Sequence, residues 1–145
     1  MRFRKAEKKD SEMLLRWRND PATRANSLNT AEVKHEEHEV WLEKTLKNSG
    51  RILFIAEENG IPVGTMRADK LENEDGYELS WAVALEHRGK GMGKKILVQS
   101  VGEINSPVLK AKIKKENIAS IKMAEYAGFS QDGEENGVLI WTLRR

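Results

Sequence analysis

The stretch HRGKGMGKKIL, from His87 to Leu97, is the most distinctive segment of this chain. Three glycines alternate with a lysine and a methionine, and two more lysines precede an apolar run. Glycine lets a backbone approach a ligand closely, and the free N–H groups of a helix's first turn favour a bound phosphate. The stretch is therefore either a phosphate-binding turn or a basic, flexible connection between a strand and a helix.

The glycine spacing excludes two familiar nucleotide-binding loops. A triphosphate loop needs G-x-x-x-x-G-K-[ST], but Gly89 and Gly93 are one residue too close, and Lys95 replaces the hydroxyl residue. A dinucleotide loop needs G-x-G-x-x-G after a first strand, whereas this G-x-G-x-G follows a later one. Any phosphate bound here belongs to another kind of ligand.

The composition predicts one domain, residues 1–145, without a general attraction to nucleic acid or membranes. The chain has 25 Lys and Arg against 23 Asp and Glu, a net charge of +2. It has no cysteine, which excludes disulfides and thiolate metal sites. No apolar run reaches the length of a membrane span or a signal-peptide core. We therefore expect a cytoplasmic protein, with no metal ion at its site.

Hydrophobic periodicity and turn signals predict an α/β fold of order β-α-α-β-β-β-α-β-α-β-β, a mixed sheet flanked by helices. In the first half, Asp10 or Ser11 caps a helix that RNDPATR ends. Asn29-Thr30 supplies the cap of the next helix. That second helix carries an apolar stripe of Val33, Val40, Trp41 and Leu46.

The second half contains two predicted hairpins and two predicted helices. Asn59-Gly60 and Asn136-Gly137 are the dipeptides that favour tight hairpin turns. Asn117 caps the last helix, and Gly128 stands where a left-handed residue ends it. The last strand, GVLIWTLRR, is apolar on both faces, which indicates burial within the sheet or a homodimer contact.

The glycine stretch and the Asn-headed helix together resemble a known signature. The pattern Arg88-x-x-Gly91-x-Gly93 follows LSWAVALEH and precedes an amphipathic helix, and KENIASIKMAEYAGF lies downstream. Both segments resemble the acetyl-CoA signature of the GNAT superfamily of N-acetyltransferases. The resemblance covers essentially the whole chain, and it implies a GNAT-like fold and an acetyl-CoA-dependent N-acetyltransferase.

The resemblance also implies which residues bind acetyl-CoA. The strand before the turn would pair with the pantetheine arm, the turn would present amides and charge to the pyrophosphate, and the Asn-headed helix would reach the thioester and the ribose phosphate. These positions are Trp81, Ala82 and Val83 in the strand, Arg88, Gly89, Lys90, Gly91, Met92, Gly93 and Lys94 in the turn, and Asn117 and Lys122 in the helix.

The proton-transfer groups are less clear from the pattern. Many family members use a tyrosine seven residues after the Asn as the acid, but Ala124 stands there and Tyr126 lies far around the helix. Water or Ser120 could take that role, although Ser120 is also a residue of the size that packs against a sheet. Glu78, inside a strand, is the candidate base; it could equally face water at the start of that strand.

The first half of the chain must form the acceptor side. Trp17-Arg18-Asn19 and Glu37-His38-x-Val40-Trp41 resemble segments of GNAT enzymes that acetylate amino sugars on nucleotide carriers, and ribosomal-protein N-terminal acetyltransferases share part of the pattern. The resemblance implies that Trp17, Arg18, Asn19, His38 and Trp41 contact the acceptor, and that His38 could remove a proton. The two tryptophans could instead be core residues. An acetyl-CoA-binding module without catalysis is the remaining alternative, which Ala124 favours.

Overall fold

Seven strands form one mixed sheet in the computed structural model, which describes residues 1–145. The sheet order is β1-β2-β3-β4-β5-β7-β6, and every neighbouring pair is antiparallel except β4 and β5. The strands are β1 (Arg2–Lys5), β2 (Arg51–Glu58), β3 (Ile61–Lys70), β4 (Gly76–Val83), β5 (Val108–Lys114), β6 (Ser130–Glu135) and β7 (Val138–Arg144). The structure confirms the predicted α/β fold class and the predicted succession of seven strands along the chain.

Five α-helices connect the strands, one more than the sequence predicts. They are α1 (Ser11–Asn19), α2 (Pro21–Asn26), α3 (His35–Lys47), α4 (Met92–Glu103) and α5 (Ile118–Tyr126). Short 3₁₀ turns precede α1 and the glycine stretch. No helix is both long and apolar enough to cross a bilayer.

The additional helix α2 corrects the prediction that RNDPATR is only a break. Pro21 occupies the first turn of α2, where a missing N–H costs nothing, and the Asp20 carboxylate accepts a hydrogen bond from the Thr23 N–H at 3.1 Å. The same dipeptide that stops α1 therefore starts α2.

The predicted cap of α3 is also wrong. The helix begins at His35 with Lys34 as its N-cap, and no side chain caps it. Asn29 Oδ1 accepts instead from the Ala31 N–H at 3.0 Å, which stabilises a turn in the connection between α2 and α3.

The two hairpin turns and the cap of α5 are confirmed, but the predicted side-chain cap of α1 is wrong, because the Asp10 carboxylate accepts from Arg4 and the Glu7 N–H and the Ser11 hydroxyl donates to Glu39. Asn59 and Gly60 have φ values of 52° and 79°, and Asn136 and Gly137 have 52° and 80°, as both residues of a type I′ turn require. Asn117 Oδ1 accepts from the Ser120 N–H at 3.3 Å, and so caps α5.

Two apolar cores lie on opposite faces of the sheet. The larger packs α4 and α5 against the central strands, with Ile96, Leu97 and Leu109 fully buried. The smaller packs Leu14 of α1 and Leu42 of α3 against the edge of the sheet around Ile55. Truncating a buried leucine of this kind to alanine costs about 2 to 5 kcal/mol. The larger core therefore holds α4 and α5 against the sheet, and the smaller core holds α1 and α3 against it.

The central strands β4 and β5 part where the site lies. Their parallel pairing consists of Gly76 with Val108, Tyr77 with Leu109 and Glu78 with Lys110. Beyond Glu78, β4 pairs only with β3, and β5 continues beside β7 alone. The two strands therefore open into a V whose vertex is at Glu78.

Candidate active site

A cleft of about 760 Å³ fills the V between β4 and β5 and continues under α1 and α2. It brings together residues that are far apart in the sequence. Most of the predicted site residues line it: Trp17, Arg18, Trp41, Glu78, Trp81, Ala82, Val83, Arg88, Gly89, Gly91, Met92, Gly93, Asn117 and Ser120. Donor-side and acceptor-side candidates therefore share one continuous cavity.

The glycine turn gives the cleft a helix N-terminus. Gly91 is the N-cap of α4 with a φ of 77°, a left-handed conformation that residues with a side chain rarely adopt. No side chain caps α4, so the first-turn N–H groups of Met92, Gly93 and Lys94 are free. A Cβ at Gly93 would lie 2.7 Å from Met123 Cε, so glycine lets α4 approach α5 closely. This geometry fits a pyrophosphate.

Arg88 is held by the acceptor half of the protein. Its Nη1 lies 2.8 Å from Asp20 Oδ2, its Nη2 donates to Thr23 Oγ1 at 2.8 Å, and its Nε donates to the Val83 carbonyl at 3.0 Å. Burial alone would raise the pKa of Asp20, but hydrogen bonds from the Thr23 N–H and Arg88 outweigh it and hold the pKa below the ordinary value. The guanidinium that is expected to meet the pyrophosphate is therefore already paired with a carboxylate.

Two of the predicted basic residues of the glycine turn do not line the cleft. Lys90 and Lys94 line a second depression of about 670 Å³, together with Tyr126. The Lys94 Nζ lies 3.4 Å above the centre of the Tyr126 ring, a cation–π contact. Lys122 is exposed and lines neither cavity.

The start of α5 faces the cleft with two polar side chains. Asn117 and Ser120 both line it, and the Ser120 hydroxyl has no hydrogen-bond partner within the protein. Ala124, at the position of the family's tyrosine, is fully buried. Tyr126 is 64% exposed and points away, as the helical rotation predicts. Ser120 is therefore the hydroxyl of α5 that can reach the cleft.

Glu78 lies at the vertex of the V. Its carboxylate is partly buried and lies 3.5 Å from the Lys112 Nζ, across the gap between β4 and β5. Glu78 is the third residue of β4 and its side chain is 25% exposed, so it lines the cleft without being fully withdrawn from water. A carboxylate here can accept a proton from an amine that enters the cleft.

Arg18 and Trp41 form the outer wall of the acceptor side. The Arg18 guanidinium carbon lies 4.4 Å from the centre of the Trp41 ring, and both residues line the cleft. Burial and, secondarily, the charge of Arg67 lower the pKa of Arg18. Trp17 packs in the smaller core and also lines the cleft, so it is a core residue that an acceptor in the cleft could still meet.

Two predicted acceptor residues do not reach the cleft. Asn19 donates from Nδ2 to the Val33 carbonyl and accepts from the Val33 N–H, both at 2.8 Å, so its amide is consumed in holding the segment before α3. His38 is fully buried, and its Nε2 lies 3.0 Å from the Ser11 carbonyl. His38 stacks behind Trp41, with ring centres 5.8 Å apart, and joins α3 to α1.

Several residues that the sequence pattern does not single out also line the cleft. Thr65, Arg67 and Ser80 lie on the same face as Glu78, because β3 and β4 pair in register there. The alternation of side chains along β3 could have indicated them. Arg67, like Glu78, is a charged residue within a central strand, where a charge is costly to bury unless it pairs with a partner or serves a site.

Comparison with known proteins agrees with this geometry. Residues 1–130 match the model of the acetyltransferase (GNAT) domain. The L-methionine sulfoximine/L-methionine sulfone acetyltransferase of Salmonella typhimurium is 28% identical over 110 residues, which are 63% of this chain. The chain spans 64% of that curated relative's length.

Solved structures share the fold over the whole chain. The spermidine N-acetyltransferase of Vibrio cholerae, solved with CoA and spermine, has a TM-score of 0.87 at 16% identity, over 99% of this chain and 94% of its own. The ribosomal-protein-alanine N-acetyltransferase of Brucella melitensis has a TM-score of 0.79 at 27% identity, over 100% of both chains. With the splayed strands, the glycine turn and the Asn-headed helix in place, the chain belongs to the GNAT acetyltransferase family.

Proposed function

We propose that this protein is an acetyl-CoA-dependent N-acetyltransferase that moves the acetyl group to a primary amine by direct attack. The observation that carries the proposal is the parting of β4 and β5 after Glu78, because the V opens towards the glycine turn at one end and Arg18 at the other. One cleft can therefore hold a donor and an acceptor together.

The donor side fits the pyrophosphate and pantetheine of acetyl-CoA. The free N–H groups at the start of α4 face the cleft beside Gly91 and Gly93. The segment from Trp81 to Val83 pairs only with β3, so its other edge is open to an extended arm. When bound, acetyl-CoA supplies the acetyl thioester that the amine attacks.

Glu78 and Ser120 would serve the proton transfers. The Glu78 carboxylate, 3.5 Å from the Lys112 Nζ, accepts the proton that the attacking nitrogen loses. The Ser120 Oγ, or a water beside it, would hydrogen-bond the departing thiolate sulfur and relay to it the proton that Glu78 has taken from the nitrogen. The N–C bond forms, the C–S bond breaks, and the proton lost by the nitrogen ends on the sulfur, which leaves Glu78 and Ser120 unchanged.

For the acceptor, a nucleotide-linked amino sugar is the leading candidate. The motif resemblance supports it, and the Arg18–Trp41 wall offers a guanidinium for a phosphate and a ring for a base. A protein or peptide N-terminus is the second candidate, which the Brucella melitensis enzyme, a ribosomal-protein-alanine acetyltransferase by name, supports. The Salmonella typhimurium relative acts on amino-acid derivatives, so free amino acids belong in the same test.

An acetyl-CoA-binding module with little catalysis is the alternative function, and the observation behind it is the buried Ala124 at the tyrosine position. Two measurements separate the proposals. We expect saturating acetyl-CoA to raise the melting temperature, and no rise would overturn both. Thiol release from acetyl-CoA is then measured with amino-sugar nucleotides, peptides, amino acids and polyamines. Release with none of them would leave only the binding module.

A further inference from the structure

The charges that line the cleft do not balance. Its five charged residues comprise four cations and the single carboxylate Glu78. Arg88 is paired with Asp20 at 2.8 Å, and Lys112 lies 3.5 Å from Glu78. The excess positive charge is therefore on Arg18, which has no carboxylate within ion-pair distance, and on Arg67, which shares the single carboxylate of Asp69 with Arg51.

Arg18 has no anionic partner. It forms no ion pair, its Nη1 is buried without a hydrogen-bond acceptor, and the Trp41 ring covers one face of the guanidinium. A partly buried cation of this kind loses some hydration, which costs free energy unless something pairs with it. The Trp41 ring supplies only a partial substitute, because a cation–π contact accepts no hydrogen bond from the guanidinium N–H groups.

Two further N–H donors without acceptors lie in the same cleft. Trp17 Nε1 and Arg67 Nε are buried and unpartnered, like Arg18 Nη1. Arg67 Nε does lie 3.2 Å from Asp69 Oδ2, without hydrogen-bond geometry, and Asp69 already accepts from Arg51 Nε at 2.6 Å. These three atoms are out of contact with solvent, but no N–H group of Arg18 or Arg67 donates a hydrogen bond, so the outer N–H groups of the two guanidiniums favour a ligand that only accepts hydrogen bonds.

We infer that Trp17, Arg18 and Arg67 form a subsite for an anionic group of the acceptor, a carboxylate or a phosphate. This inference rests on the proposed function, because it assumes that the acceptor half of the cleft receives the amine. Arg67 pairs in register with Ser80, two residues from Glu78 on the same face of the sheet. Diagonal neighbours of this kind are roughly 7 to 8 Å apart at Cα, so one small molecule can place its amine at Glu78 and its anion at the arginines.

The subsite predicts selection against polyamines. A polyamine carries only cations, and it would meet two guanidinium groups without the anion that they need. A free amino acid and an amino-sugar nucleotide both combine an amine with an anion, through a carboxylate and a pyrophosphate respectively. The subsite therefore sets which amines are accepted, while the chemistry at Glu78 stays the same.

The test is a calorimetric titration of the CoA-saturated protein with four probes: L-methionine sulfone, its carboxamide, UDP-glucosamine and spermidine. We expect the sulfone or UDP-glucosamine to bind at least about tenfold more tightly than the carboxamide and spermidine, since charge-assisted hydrogen bonds are lost in the latter. Preference for the sulfone identifies a carboxylate, and preference for UDP-glucosamine identifies a phosphate. Equal binding of the probes with an anionic group and the carboxamide that lacks one, or binding of spermidine alone, would overturn the inference.

The Arg18→Gln variant links the preference to the subsite. This variant should no longer distinguish probes with an anionic group from the carboxamide that lacks one, while its affinity for acetyl-CoA stays unchanged. Arg18→Lys should restore part of that discrimination. Arg16→Gln is the matched control, because Arg16 is exposed on the same helix. Discrimination that survives in a folded Arg18→Gln variant would also contradict the inference. Because binding is measured without turnover, a failure to release CoA would contradict only the proposed function.

Discussion

Asp20 and Arg88 join the two halves of the cleft. Asp20 Oδ2 lies 2.8 Å from Arg88 Nη1, across 68 positions of the chain, and the Asp20 side chain is only 11% exposed. Asp20 ends α1 and caps α2 on the acceptor side, whereas Arg88 begins the glycine turn on the donor side. The ion pair therefore holds the acceptor helices against the cofactor turn.

Asp20→Asn should separate this ion pair from the helix cap. Asparagine caps helices as well as aspartate does, so α2 should persist, but Arg88 loses its anionic partner. We expect the free energy of unfolding without ligand to fall by about 1 to 2 kcal/mol. We also expect acetyl-CoA to bind a few-fold more tightly, because the freed guanidinium charge can meet the pyrophosphate. Denaturant titration and calorimetry measure the two effects.

Asp75→Asn, in the exposed turn before β4, is the control for the loss of one negative charge. It should change neither quantity. An unchanged acetyl-CoA affinity in Asp20→Asn would show that Arg88 does not contact the pyrophosphate.

Gly91→Ala should weaken acetyl-CoA binding. The φ of 77° at Gly91 is unfavourable for alanine by roughly 1 to 2 kcal/mol, so the turn would relax and move the free N–H groups. We expect the dissociation constant for acetyl-CoA to rise at least about fivefold. Gly102→Ala is the control, because Gly102 lies in the helix that Gly91 begins and a Cβ there would meet no atom within 4 Å. That control should stabilise the fold by up to about 1 kcal/mol and leave acetyl-CoA binding unchanged.

Glu78→Gln should lower kcat by about 10²- to 10⁴-fold and leave the affinity for acetyl-CoA unchanged. The amide cannot accept the proton that the attacking nitrogen loses, and a positioned general base contributes a factor of this size to the rate. Steady-state rates and calorimetry measure the two quantities, with the exposed Glu72→Gln as control. A kcat within a few-fold of the wild type in Glu78→Gln would remove Glu78 from the role of base.

His38 should give the fold a pH dependence. Burial, and secondarily the charge of Arg18, lower the pKa of His38 below its ordinary value of about 6.5. Below that pH the unfolded chain binds a proton that the folded chain does not, so stability falls as the pH decreases, by at most about 1.4 kcal/mol per pH unit. The free energy of unfolding, measured by urea titration from pH 7.5 to 5, should show this slope.

His38→Gln should flatten that slope, because a glutamine amide can still donate to the Ser11 carbonyl but does not titrate in this range. The variant also tests the structural role of His38, since its acetylation rate should follow the wild type wherever both are folded. A slope that persists in His38→Gln would place the titrating group elsewhere.

Local signals in the sequence predict much of the fold and part of the site. Asn117, Gly128 and the two Asn-Gly turns act through their own backbone conformations, so their roles are visible in the chain itself. The start of α2 was missed because Asp-Pro both ends one helix and begins another. The residues after the proline decide between the two, and here the hydrogen bond from the Thr23 N–H to Asp20 favours a new helix.

The acceptor side was less predictable because its contacts are long-range. The pairing of Arg88 with Asp20 and the position of Arg67 two residues across from Glu78 depend on how the sheet assembles. Asn19 and His38 match a site motif, yet the Asn19 amide is bonded to Val33 and His38 is fully buried with its Nε2 against the Ser11 carbonyl. A residue's type and spacing state what it can do, and the neighbours that tertiary structure supplies determine what it does.

The transfer of an acetyl group to an acceptor nitrogen is the central claim, and mass spectrometry of the acceptor tests it most directly. The protein is incubated with isotope-labelled acetyl-CoA and each candidate acceptor, and free thiol is counted in the same reaction. We predict one labelled acetyl group on the amine nitrogen for each CoA released. With Glu78→Gln, both products should form more slowly than with the wild type. Thiol release without an acetylated acceptor, or no release with any amine, would contradict the account.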